Sequence, residues 1–417
     1  MTPGPHRLPA EVLSGLAAGG GGEPAVRHLV AAQDSKHRLL ILGVVEWARS
    51  EGHPAAGLAE RAFDLLAGIE KQAPEAVRRV IRHPAVGAWA KQTLHGLEKG
   101  SGGGDPALLG AVSVAAAVRA GIACRAEVPS AEGRVMLPTL GRVTVPVDDS
   151  LADLRVREDG KLEVAGSSAV LAPIHRLTSD DRTIDFLLDD LDPYRWDPGK
   201  VIDGRLPEAE RDRWRQCLGE AWRILTEHHW TIAMECRSAI TVLTPIKGPA
   251  HGMDSASSRD RFGAIALSSP PDARWLASTF AHEIQHAKLG ALLDVLDLTL
   301  PDGRRYYAPW RPDPRPLSGL LQGAYAYLGV AGFWRRQRAF EPDLRPHIEF
   351  ARWRAAAHAV TGTLLGSGRL TADGHRFVSA MRETMTSWLA EPVPPEALAA
   401  ARSEAAAHRE QWELRNG

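Results

Sequence analysis

Apolar residues recur at three- and four-residue spacings through "VRHLVAAQDSKHRLLILGVVEWA" and "AERAFDLLAGIEKQ". That period lays one stripe along a helix, so residues 25 to 98 are predicted to be helical. The preceding "GGGGEP" reads as flexible, and "KGSGGGDP" at 99 to 106 as a strong break. "ALLGAVSVAAAVRAGI" has the look of a buried helix. From 123 to 172 the apolar runs shorten and alternate in "RVMLPTLGRVTVPV" and "LRVREDGKLEVAG", as small antiparallel strands do. After the Pro- and Asp-rich "LLDDLDPYRWDPGKVIDGRLP", helices return at "EAERDRWRQCLGEAWRILTEHH", and "SAITVLTPIK" and "RFGAIALSS" are predicted strands. Four helical stretches follow, around 272 to 294, 316 to 340, 344 to 366 and 371 to 388, and a charged amphipathic helix closes the chain. There is no internal repeat. The pattern implies an α+β protein, predominantly helical with a small antiparallel sheet. Three consecutive regions are expected: helical over 1–100, mixed with short strands over 101–200, and a third over 201–417.

Length narrows this little, since 417 residues at roughly 150 per domain suggest two or three units. Charge narrows it more. A net charge of -1 gives no global bias toward nucleic acid or an anionic membrane, so neither is an expected partner. Three scattered cysteines, Cys124, Cys217 and Cys236, argue against a disulfide framework and a Cys-rich zinc module. They are expected to be buried thiols in a reducing compartment. The N-terminal "MTPGPHRLPAEVLSGLAAGGGGEP" carries Pro and Gly where a signal peptide needs an apolar run, and no later stretch approaches the roughly 18 to 20 apolar residues of a membrane span. The expected location is the cytoplasm.

The chemistry concentrates in two places. In "PPDARWLASTFAHEIQHAKLGALLD", two prolines and an Asp make a helix start, and His282-Glu283-Ile284-Gln285-His286 has the H-E-x-x-H form. Positions four apart lie about 40° apart around a helix and about 6 Å along it, so both imidazoles project from one face and can share a metal ion. Glu283, about 100° further round, can reach a metal-bound water as general base without being a ligand. The flanks Trp275, Leu276, Phe280, Ile284, Leu289, Leu292 and Leu293 bury most of the helix, so these polar groups need partners. The alternative is a core helix with hydrogen-bonded histidines. The customary third peptidase ligand is missing: Leu289 and Leu292 stand where a metzincin has Gly and His. "LSGLLQGAYAYLGVAGFWRRQR" contains no acid for a gluzincin site. Asp294 could serve only if the chain turned at Gly290.

The second place is "RRYYAPWRPDPRPLSGLLQGAYAY", 304 to 327. Arg311 and Arg315 lie in a proline-stiffened loop and could clamp a carboxylate with their planar forks. Equally, they could pair with Asp302 and Asp313 on the surface. Tyr307 and Gln322, on either side of this loop, are the candidate substrate contacts.

"HEIQHAKLGALLD", "YAPWRPDPRPLSGLLQGAYA", "FW" and "SGRLTADGHRFV" together resemble the HEXXH-motif family of peptide-modification proteins of actinobacteria. These occur beside ribosomally made peptide precursors, alone or fused behind radical-SAM enzymes. The likeness covers 254 to 390, and "RRVIRHPAVGAWA" at 78 to 90 is similar to the family's N-terminal region. It implies a zincin-like HExxH helix in a catalytic domain over 201–417. It also implies β-hydroxylation of a precursor-peptide residue with Fe(II), 2-oxoglutarate and dioxygen, without proteolysis. On that reading His282 and His286 hold iron, and Arg311 and Arg315 hold the far carboxylate of the keto acid. Tyr327 departs from the family, which often has His there. A zinc peptidase maturing the precursor and a non-catalytic peptide-binding scaffold are the other readings. A strand in "DSASSRDRFGAIALSS" could bind an extended peptide by edge pairing, with Arg259 and Arg261 meeting an acidic leader. His83 is expected to be structural or capping, and His347 and His358 solvated.

Overall fold

The computed structural model describes residues 6–100, 104–147, 150–164, 167–178, 184–249 and 252–416. The glycine-rich break at 101–103 therefore lies outside the described residues. The chain forms two compact units and passes between them four times. One comprises residues 1–32, 214–239 and 270–417, the other 33–213 and 240–269. Positions 100 and 200 both fall within the second unit. Among the described residues no helix is long and apolar enough to cross a membrane, and no cysteine is in a disulfide.

The second unit is mixed. Helices Ala56–Gln72, Pro74–Ile81, Pro84–Lys99 and Leu109–Ala120 share an apolar core with the neighbouring strands, in which Val77, Val80, Trp89, Leu109, Val112, Val135 and Leu154 are buried. Among the described residues, the expected small antiparallel sheet is in fact three sheets. One is an antiparallel run of Cys124–Pro129, Leu151–Val156, Leu162–Val164 and Ser167–Ser168, and another joins Arg134–Leu137, Gly141–Thr144 and Val170–Pro173. The third has five strands in the order Ser255–Ala256, Ala264–Leu267, Val242–Pro245, Asp185–Leu188, His175–Thr178. Its three central strands are parallel. The cause is burial: every residue of Val242–Pro245 and Ala264–Leu267 is buried, so neither strand alternates, as is usual for a parallel strand covered on both faces. Ala264–Leu267 is paired on both sides, and the edge of the sheet within "DSASSRDRFGAIALSS" is the two-residue strand Ser255–Ala256. Arg261 is engaged within this unit, donating to the Tyr194 carbonyl and lying over the Trp196 ring.

Among the described residues, the regular elements of the first unit are all helices. The four stretches expected after residue 270 form Ala273–Leu292, Leu317–Gln337, Arg345–Gly366 and Ala372–Leu389, and the charged terminal helix is Pro395–Asn416. Caps explain the boundaries. The Asp272 carboxylate accepts from Trp275 N–H at 2.9 Å and the Thr371 hydroxyl from Gly374 N–H at 2.9 Å. Leu317–Gln337 packs between Ala273–Leu292 and Arg345–Gly366. It approaches the H-E-x-x-H helix closely at Gly329, where a Cβ would stand 2.6 Å from the Ala281 carbonyl oxygen. Only glycine permits that approach, which fixes the spacing of the two helices that carry the site.

"GGGGEP" is ordered, contrary to expectation. Gly19 and Gly21 have φ of 85° and 97°, which disfavours side-chain-bearing residues. The turn they make presents the Gly19 and Gly20 carbonyls to the back of the H-E-x-x-H helix. Gln285 Nε2 donates to the Gly19 oxygen at 2.7 Å, and Lys288 Nζ to the Gly20 oxygen at 3.1 Å. Lys288, 1% exposed, also pairs with Glu235 at 2.8 Å, whose other oxygen accepts from Gly22 N–H at 2.9 Å.

His229 gives this unit an acid sensitivity. It is buried, stacked on Phe333 at 4.3 Å and bonded through Nε2 to Gln337 Oε1 at 2.7 Å, and burial pushes its pKa down to about 4 from an ordinary 6.5. Between those values the unfolded chain binds a proton that the folded one refuses. The contribution is therefore complete above pH 6.5 and declines as pH falls toward 4, by roughly 2 kcal/mol at pH 5. Denaturant unfolding at pH 7 and pH 5 should show this loss, and His229→Gln should shrink it by a similar amount.

Candidate metal centre

The helix Ala273–Leu292 carries His282 and His286 on one face, as four-residue spacing requires. Their Nε2 atoms are 3.1 Å apart, with the rings nearly perpendicular at 75°. Two nitrogens each about 2.1 Å from a common divalent ion would be this far apart at an angle of about 95° between them. The geometry thus fits a shared metal ion. Burial, with help from His286, pushes the His282 imidazole down to about 4, so it is neutral and has a lone pair to offer at physiological pH.

The second nitrogen of His286 is fixed. Gln322, on Leu317–Gln337, presents Oε1 to His286 Nδ1 at 3.1 Å. An amide oxygen only accepts, so Nδ1 carries the proton and Nε2 is the free donor atom. Gln322 therefore orients a candidate ligand. Gln322→Leu should weaken divalent-metal affinity about 10–100-fold without unfolding the protein, measurable by metal titration followed by circular dichroism.

Glu283 is buried at 1% side-chain exposure, with Oε1 4.0 Å from His282 Nε2. That oxygen does not join both histidines in a ligand-sized cluster, but it is close enough to serve a water bound beside them. No third His, Cys, Asp or Glu joins the pair in a ligand-sized cluster among the described residues. Asp294 is not brought in: the helix continues through Gly290 to Leu292 without the turn it needed, and Asp294 joins neither histidine in a ligand-sized cluster among the described residues.

What stands beside the pair is aromatic. The Tyr327 ring meets His282 edge to face at 5.2 Å, is stacked under Trp310 at 4.8 Å, and packs on Trp353 at 4.1 Å. Burial pushes its phenol up to about 12; Arg352 and Arg311 pull it down, and Glu349 and Glu283 push it up. Trp310 reaches this position because residue 323 is glycine: a Cβ there would stand 2.3 Å from the indole nitrogen. The loop "APWRPDPRP" is thereby held against the helix beside the histidines, and the paired backbones of Tyr306 and Arg315 close its base. Gly323→Ala should displace Trp310, seen as a shift in tryptophan fluorescence with secondary structure retained.

The two arginines of that loop both meet Asp313. Arg311 Nε donates to Oδ1 at 3.0 Å and Arg315 to Oδ2 at 3.1 Å. The surface pairing is the arrangement present, and a clamp on a ligand would require them to leave Asp313. Asp302 is occupied by Arg304 and Tyr306 instead. Tyr307 faces the C-terminal helix, its hydroxyl 2.9 Å from His408 Nδ1 and its ring against Trp412 and Arg409.

Residues of Arg345–Gly366 that the sequence reading passed over belong to this cluster. Glu349 is buried at 1% exposure and accepts from Trp353 Nε1 at 2.5 Å. Arg352 lies over Trp353 at 4.4 Å and pairs with Glu404. The available signal was Glu349, Trp353 and Ala357 at four-residue spacing, hidden by the arginines between them. On the same helix, His347 Nδ1 is buried without a partner and His358 lies 3.1 Å from the Thr386 hydroxyl, so neither is simply solvated.

No protein-family model and no curated protein matches this chain.

Proposed function

We propose that the chain is an enzyme of ribosomal-peptide modification that hydroxylates the β-carbon of a precursor-peptide residue with Fe(II), 2-oxoglutarate and dioxygen. The observation that carries this is the His282–His286 pair: two imidazoles 3.1 Å apart with no third His, Cys, Asp or Glu joining them among the described residues. A site held by so few protein groups keeps positions open for a chelating keto acid and dioxygen. The resemblance of the motifs around 282–327 to the HEXXH peptide-modification family supports the same reading, including a zincin-like helix. In the overall reaction 2-oxoglutarate loses carbon dioxide and becomes succinate, one oxygen atom of dioxygen enters succinate, and the other enters the peptide C–H bond.

The chain's residues would divide the work. His282 and His286 hold the metal, Gln322 orients His286, and Glu283 holds a proton or water beside it. Trp310 and Tyr327 exclude solvent. Arg311 or Arg315, released from Asp313, meets the distal carboxylate of the keto acid. The test is mass spectrometry of a precursor peptide incubated with the protein, iron(II), 2-oxoglutarate and dioxygen. A gain of one oxygen, dependent on all three, is expected. A cleaved peptide in zinc alone overturns the reading in favour of a zinc peptidase, for which the position of Glu283, 4.0 Å from His282 Nε2, is also suited. A protein that takes up no metal at all favours a binding scaffold.

A further inference from the structure

A second cluster lies in the other unit and does not rest on the reading of His282 and His286. His83 occupies the N-cap position of Pro84–Lys99, yet its side chain makes no capping hydrogen bond, so of the structural and capping readings the capping one does not hold. The ring is 3% exposed, and neither of its nitrogens has a hydrogen-bond partner. Its Nε2 faces Asp189 Oδ2 at 3.8 Å, too far for a hydrogen bond, and that oxygen is unpartnered as well. Asp189 is fully buried and Asp192 is 3% exposed; the three residues each offer a ligand atom within 4.8 Å of the others.

The loop "DDLDPYR" builds this arrangement. Asp189 Oδ1 accepts from the N–H groups of Leu191 and Asp192, and Asp192 Oδ1 from Tyr194 N–H at 2.8 Å. These bonds hold Asp189 so that Oδ2 points at the imidazole. The intervening Asp190 has its own partners in Arg205 and Leu206 N–H. Among the described residues no lysine or arginine is ion-paired with Asp189 or Asp192, and Arg195 donates to the Asp192 backbone carbonyl. Two interior carboxylates beside an imidazole with both nitrogens unpartnered is costly unless a cation joins them.

We propose that His83, Asp189 and Asp192 bind a divalent transition-metal ion that fastens the loop at 189–195 to the start of the helix Pro84–Lys99. One imidazole and two carboxylates, with no thiolate, suit the zinc or manganese class better than calcium or an iron–sulfur cluster. Two ligand atoms about 2.1 Å from one ion can be at most about 4.2 Å apart, and 3.8 Å lies within that limit. Asp192 also lines a cavity of about 500 Å³ with Trp89 and Tyr194, which gives the ion a way in.

The test uses a His282→Ala, His286→Ala double variant, which removes the other histidine pair. After loading with zinc or manganese and dialysis, elemental analysis should find one ion per chain, and none once His83→Phe is added. A double variant that folds but retains no ion overturns the proposal, as does an ion kept after His83→Phe. Should the variants fail to fold by circular dichroism, crystals of the metal-loaded parent decide: an anomalous peak between His83 and Asp189 is expected, and its absence overturns the assignment.

Discussion

Lys288→Met is expected to destabilise the protein by about 3–5 kcal/mol, because it leaves the Glu235 carboxylate buried without its counter-charge. The lysine is 1% exposed and the glutamate 2%, so solvent screens neither. The same change strips the Gly20 carbonyl of its donor, although Gln285 still serves Gly19. Denaturant unfolding monitored by circular dichroism would show a lower midpoint in the transition of the all-helical unit. The double variant Lys288→Met, Glu235→Leu should recover a large part of the loss, since removing both charges removes the desolvation problem. A single variant within 1 kcal/mol of the parent would show that the pair is not compensating charge in the interior.

The second large effect falls on the histidine pair. Under the proposed function, His282→Ala and His286→Ala should each lower divalent-metal affinity by more than the 10–100-fold expected for loss of the orienting Gln322, and should abolish turnover. Isothermal titration with iron(II) or a redox-silent substitute measures the first, and oxygen incorporation into peptide the second. Retention of metal at parental affinity by either variant would remove the pair from the site.

How far these features could be read from the sequence depended on how local they are. The H-E-x-x-H word and the helices around it were legible because four-residue spacing and an Asp cap act within a few turns; Ala273–Leu292 departs from the expected 272 to 294 by two residues at most. The pairing of Arg311 and Arg315 with Asp313 was legible as one of two alternatives, being two residues away in each direction. Distant partners were not. Nothing near Lys288 in the chain announces Glu235, 53 residues earlier, so a charged side chain inside an apolar run gave no sign of its counter-ion. The glycine run read as flexible because glycine favours turns and disorder alike, and only the carbonyls' donors decide which. His83 read as structural or capping because its carboxylate neighbours are far along the chain. The parallel strands were hidden because a four-residue apolar run has no alternation from which to infer a partner's direction.

The tetraglycine turn also sets an order of events during synthesis. Its carbonyls find their donors on Gln285 and Lys288, 266 residues or more downstream. At roughly 5–20 residues per second, a ribosome needs on the order of ten seconds to a minute to supply them. For that interval the segment around Leu16 to Gly22 is synthesised but unanchored, while residues of the mixed unit emerge and can fold. The all-helical unit closes late, and its H-E-x-x-H helix is the stretch of chain that the waiting N-terminus captures.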